Sequence, residues 1–110
     1  MVGLMKGDVV VLPFPFSDLS ATKRRPACVL AALPNGDVIL CPITSRALSD
    51  GYAIPITRSD FASGGLRRDS NVRPNRLFTA DANIILYQAG SLSTAKVQEI
   101  IAKVVQIIST

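Results

Sequence analysis

The chain contains no histidine and no tryptophan, and only two of its 110 residues are cysteine. Without histidine, the side chain that most readily exchanges a proton near neutrality is missing, and any acid–base chemistry falls to other groups. The same absence argues against a zinc site, because the two cysteines also lack metal-ligand spacing; no metal or other cofactor is expected. Cys28 and Cys41 each sit inside an apolar strand pattern, which predicts two reduced core thiols rather than a disulfide. Long apolar runs are missing too. The longest block, Val9 to Phe16, is too short to cross a bilayer and contains Pro13 and Pro15. No charged-then-apolar leader opens the chain, so a cytoplasmic protein without membrane contact is expected.

What is present fits one domain, residues 1–110. An apolar content of 48% over 110 residues allows a core large enough to fold unaided. The net charge of +4 is unevenly placed. Residues 23–76 hold nine Lys or Arg against four Asp, whereas the remainder holds three against four acidic residues. Lys23-Arg24-Arg25, Arg46, Arg58, Arg67-Arg68, Arg73 and Arg76 all fall in or beside turn-like segments, where side chains can reach an anionic polymer.

Strand signals are dense through the first 90 residues. They cover Asp8 to Leu12, Ala27 to Leu33, Val38 to Ile43, Tyr52 to Ile56, the neighbourhood of Val72, and Leu77 to Ala80 or Ile84 to Tyr87. Several short strands buried on both sides suggest a small barrel rather than a one-sided sheet. The period then changes. Val97, Ile100, Ile101, Val104 and Ile108 recur at helical spacing with Ser93 as N-cap, which predicts a C-terminal helix laid on the barrel. Val105 and Ile107 widen its apolar coverage towards a second contact. The fold class is therefore mainly β with α.

The central hairpin gathers a candidate site. If Asn35-Gly36 are the two central residues of a type I′ turn, Leu33 faces Val38, Ala27 faces Thr44 and Arg25 faces Arg46. Cys28 and Cys41 are then diagonal, and so are Arg25 and Thr44, on one face and roughly 7 to 8 Å apart at Cα. A guanidinium and a hydroxyl at that separation suit one phosphate, as in RNA. Three loops flank this region: 14–22, 46–51 and 63–69. Gly64-Gly65, in the third, matches neither a phosphate loop nor a dinucleotide fingerprint and is expected to be a flexible turn.

Taken in order, Gly7-Asp8-Val9-Val10, Leu12-Pro13-Phe14-Pro15-Phe16, Lys23-Arg24-Arg25-Pro26-Ala27, Cys41-Pro42-Ile43-Thr44-Ser45 and Val72-Arg73-Pro74-Asn75-Arg76-Leu77-Phe78-Thr79 resemble the blocks of the MazF/PemK family of toxins, in its PemK-like branch. The resemblance implies an SH3-like β-barrel with a C-terminal helix and a homodimer. It also implies a metal-independent endoribonuclease that cuts single-stranded RNA at short motifs and is neutralised by a cognate acidic antitoxin.

Carried over by motif, the family's catalytic Arg and Thr fall on Arg25 and Thr44. Lys23, Arg24, Arg46, Arg73 and Arg76 are candidate RNA contacts, and Ser17, Asp18 and Ser45 are candidates for RNA contact and proton handling. The implied reaction is attack by the ribose 2′-hydroxyl on the adjacent phosphate, leaving a 2′,3′-cyclic phosphate and a 5′-hydroxyl. A permanently charged Arg suits the negative charge that builds on phosphate better than it suits proton transfer. Two other functions compete. A non-catalytic nucleic-acid-binding barrel would usually carry more exposed aromatics than 5% of the chain supplies. A gyrase poison of the same fold would act through protein contacts at the C-terminal helix.

Overall fold

Asp8-Val9-Val10-Val11-Leu12 places β-branched side chains on both faces of a strand, and all five residues are buried. The computed structural model describes residues 3–14 and 23–110. Its strands are β1 (Asp8–Phe14), β2 (Lys23–Ala32), β3 (Asp37–Thr44), β4 (Ile54–Ile56), β5 (Phe61–Gly64), β6 (Ser70–Val72), β7 (Phe78–Asp81) and β8 (Tyr87–Leu92), followed by helix α1 (Thr94–Ile108). All pairings are antiparallel, in the order β4-β6-β3-β2-β1-β8-β5, with β7 joining β3 beside that path. The result is a curled half-barrel carrying a C-terminal helix.

Because the central strands are covered on both sides, two apolar clusters form. Val9, Cys28, Cys41 and Ile43 pack on one face with Val97, Ile100 and Val104 of α1. Val10, Leu12, Ala27, Val29 and Leu40 pack on the other with Ile85, and Phe14 and Phe78 lie against them. Burying an aliphatic side chain contributes roughly 1.5 to 3 kcal/mol, so the Val-rich first strand is a principal source of stability. Its first residue joins the chain ends: buried Asp8 accepts hydrogen bonds from Met5 N–H at 2.8 Å and from the Ser91 hydroxyl at 2.8 Å.

The central hairpin departs from the type I′ expectation twice. Among the described residues no non-glycine has a positive φ, which a type I′ turn requires of Asn35. Instead Gly36 N–H donates to Leu33 O at 3.1 Å, Leu33 N–H donates to Asp37 O at 2.8 Å, and Gly36 takes the left-handed conformation at φ +92°. The loop is therefore three residues long, Pro34-Asn35-Gly36, and moves the register by one. An irregularity between Val29 and Ala31 moves it by another, so that Ala27 faces Pro42 rather than Thr44. One slip would have sent every side chain to the opposite face; two restore the faces. Cys28 is thus directly opposite Cys41 rather than diagonal, and both are free and buried.

Other differences are local. The flexible turn expected at Gly64-Gly65 begins as an edge strand, β5, paired with β8 through Gly64 opposite Gly90. A Cβ on Gly64 would collide with the Ala89 carbonyl, so the two strands approach as closely as they do only without side chains. Of the two alternatives for a late strand, Leu77 to Ala80 corresponds to β7, one residue later, whereas Ile84 to Tyr87 is not a strand: Ile84 ends a 3-10 turn and β8 starts only at Tyr87. The strand expected from Tyr52 begins at Ile54, because Asp50 Oδ1 accepts from the backbone N–H groups of Tyr52 and Ala53 and turns the chain there. In α1 the Ser93 hydroxyl accepts from Lys96 N–H at 3.2 Å, as an N-cap does. The apolar stripe ends at Val104, and Ile108 is 71% exposed. Among the described residues no helix is long and apolar enough to cross a membrane.

Candidate functional site

Strand β3 changes partner halfway along. Up to Leu40 it pairs with β7, and from Ile43 it pairs with β6, both on the same edge. Pro42 stands at the change, where its missing N–H would otherwise break a ladder. The partner chain leaves the sheet over residues 73–77, and Arg73 N–H returns to Pro42 O at 2.9 Å. Within that excursion Pro74–Arg76 form a 3-10 turn with Pro74 buried, and α1 packs against the turn. The sequence therefore builds a rigid outcrop bearing Arg73, Asn75 and Arg76.

Between this outcrop and the ends of β1 and β2 lies an open cleft of about 690 Å³, lined by Phe14, Arg25, Pro42, Ile43, Arg46, Arg73, Asn75, Arg76, Leu77 and Phe78. Four arginines from three separate segments meet here. Among the described residues only Arg73 of the four has an acidic partner, Asp50, at 3.8 Å. Among the described residues three of these guanidiniums have no acidic partner, and an anionic ligand in the cleft would supply one. Phe14 and Phe78 meet edge-to-face on the floor, with ring centroids 5.2 Å apart and planes at 74°. Among the described residues no three His, Cys, Asp or Glu side chains gather.

The residues singled out in the sequence are distributed as follows. Arg25, Arg46, Arg73 and Arg76 line the cleft. Thr44 is half-buried, its Oγ1 accepting from Arg46 N–H at 3.2 Å, and it is not part of the wall. The β2–β3 register ends at Ala27–Pro42, two residues short of Arg25 and Thr44, and Thr44 pairs with Asn71 of β6. Lys23, Arg24 and Ser45 are exposed and outside the wall. Arg24 is exposed and paired with Pro13, while Arg25 is half-buried and paired with Leu12. Ser17 and Asp18 lie outside the described residues. Asn75 was missed as a wall residue; its place between two arginines after a proline was the available signal. Asp50 was missed as well, because nothing local in the sequence links it to Arg73, 23 positions away.

Comparison with known proteins identifies the family and the fold. The family described as "PemK-like, MazF-like toxin of type II toxin-antitoxin system" matches residues 5–108. No curated protein matches the chain by sequence. Among solved structures, an endoribonuclease in complex with its cognate antitoxin from Mycobacterial species superimposes with a TM-score of 0.75 at 12% identity, over 99% of this chain and 96% of that one. MazE-MazF from Deinococcus radiodurans gives 0.75 at 22% identity, over 96% and 95%. The Mycobacterium tuberculosis toxin MazF-mt6 gives 0.70 at 18%, over 93% and 96%. Identities this low establish the shared fold, and the family match extends over nearly the whole sequence. The chain belongs to the PemK-like, MazF-like family of type II toxin–antitoxin toxins.

Proposed function

We propose that the protein is a metal-independent endoribonuclease toxin that cuts single-stranded RNA in the cytoplasm and is neutralised by a cognate acidic antitoxin. The observation that carries this reading is the cleft in which Arg25, Arg46, Arg73 and Arg76 converge beside two aromatic rings. Such a groove can hold a phosphodiester backbone and stack an unpaired base. The 2′-hydroxyl gives up its proton as its oxygen bonds to phosphorus, the bond from phosphorus to the 5′-oxygen breaks, and the departing 5′-oxygen takes up a proton, so that none is gained or lost overall. Arg25 stabilises the charge that grows on the phosphoryl oxygens. Thr44, whose Oγ1 accepts from Arg46 N–H, donates a hydrogen bond to the same phosphate. Ser17, Asp18 and Ser45 are the candidates for moving protons.

A homodimer fits the exposed apolar residues of α1, where Val105 is 53% exposed. The test is incubation of single-stranded RNA with the protein in EDTA, followed by end mapping. Cyclic phosphate and 5′-hydroxyl ends are expected. Activity that disappears in EDTA and returns with magnesium would overturn metal independence. Tight RNA binding without cleavage would favour a non-catalytic barrel, and inhibition of gyrase without RNA cleavage would favour a gyrase poison.

A further inference from the structure

Arg73 differs from the other cleft arginines in what surrounds its guanidinium. Its Nε is buried and has no hydrogen-bond partner among the described residues. Its Nη2 stands 3.8 Å from Asp50 Oδ2, beyond hydrogen-bond distance. Nε and Nη2 form the guanidinium edge that can take one anion through two parallel hydrogen bonds. A carboxylate therefore approaches Nη2 of this edge without bonding to it, and Nε stays unsatisfied.

Both partners are tethered by backbone. Arg73 N–H donates to Pro42 O at 2.9 Å. Asp50 Oδ1 accepts from Tyr52 N–H at 3.0 Å and Ala53 N–H at 3.1 Å. Those two bonds, and then the charge of Arg73, hold the Asp50 carboxyl below the usual carboxylate range. Asp50 is thus anchored through Oδ1 alone, and Oδ2, the atom nearest Arg73, carries its charge beside an otherwise cationic cleft.

We propose that Asp50 is an internal occupant of an anion subsite at Arg73, and that one phosphate of single-stranded RNA takes its place when substrate binds. The proposal rests on the RNA reading of the cleft. An ion pair this long and partly exposed is weak, so its loss opposes binding only slightly. A phosphate drawn to hydrogen-bond distance supplies the partner that Nε lacks. Asp50 then acts as a threshold: ligands that cannot bridge Nε and Nη2 do not displace it.

The test uses a 2′-O-methyl oligoribonucleotide, which has no attacking hydroxyl, so that binding is read apart from cleavage. Asp50→Asn keeps the Oδ1 acceptor for Tyr52 and Ala53 and removes the charge, together with the Oδ2 acceptor near Arg73. Affinity is measured for the wild type, Asp50→Asn, Arg73→Gln and the double variant. Asp50→Asn should bind up to about fivefold tighter, the upper worth of an exposed ion pair. Arg73→Gln should bind more weakly, and adding Asp50→Asn to it should change nothing. The proposal is overturned if Asp50→Asn does not tighten binding, or tightens it equally without Arg73, which would reveal a general field effect. It is also overturned if only an acidic peptide responds to Asp50→Asn. A wild type that does not bind the oligonucleotide removes the RNA reading and this inference with it; binding that is indifferent to Asp50 removes this inference alone.

Discussion

Leu12, 1% exposed, is the β1 partner of Arg25, which lines the cleft. One residue pair thus spans the boundary between core and site. Arg25 projects from a strand whose packing is already complete, so Arg25→Ala should leave the fold intact. Loss of one oxyanion-type donor typically costs about 100- to 1000-fold in rate. Thr44→Val should slow single-turnover cleavage by a similar order while RNA binding persists. Arg24→Ala should weaken binding more than cleavage, because a phosphate-positioning charge acts on affinity. If Arg24→Ala is the inactive variant and Arg25→Ala the weak binder, the two residues have exchanged roles.

The cleft charges also set a dependence on salt. Each phosphate neutralised on a single strand contributes about −0.7 to the slope of log affinity against log salt. Arg25, Arg46, Arg73 and Arg76 should together give a slope of about −2 to −3. An acidic antitoxin peptide should compete with RNA and show the same sensitivity. Fluorescence titration at several salt concentrations checks both; simultaneous independent binding of the two ligands would contradict a shared groove.

Alkaline pH should loosen the core before it affects the cleft. Burial, with Asp8 nearby, pushes the Cys28 thiol up to about 12, and burial, with Cys28 opposite, does the same for Cys41. The folded state keeps protons that the unfolded chain gives up near pH 9. This contribution to stability is therefore complete below about pH 9 and is lost as pH rises towards 12, at about 1.4 kcal/mol per pH unit for each thiol. Urea titrations between pH 8 and 11 would show it. A thiol reagent should leave both cysteines untouched at neutral pH until the protein unfolds.

Gly64→Ala should destabilise the sheet edge. The new Cβ meets the Ala89 carbonyl across the ladder, and Gly64 is at φ +65°. A cost of about 1 to 3 kcal/mol is expected, read as a lower melting temperature. RNA affinity should not change, because β5 is remote from the cleft wall.

The first strands, the terminal helix and its Ser93 cap were legible in the sequence because each follows from local pattern: β-branched runs, a helical period and a hydroxyl before it. The face that Ala27 shares with Pro42 was legible too, although by two offsets that cancel. The hairpin's extra loop residue went unseen because Asn35-Gly36 fits two turn geometries, and the choice between them depends on Pro34. β5 was hidden because glycine weakens a strand signal, and its reason for being there is Gly90, 26 positions later. The cleft itself arises where β3 exchanges β7 for β6, a property of topology that no local window contains.

The bond between Asp8 and Ser91, 83 positions apart, has a consequence in time. β1 can find β2 early, but its other edge stays open until β8 arrives. Pairings this distant must overcome loop closure before they are rewarded, and folding in milliseconds to seconds is the usual result. A chain halted before Tyr87 would present the most apolar strand of the molecule with one edge unpaired, a ready template for aggregation or a target for proteolysis.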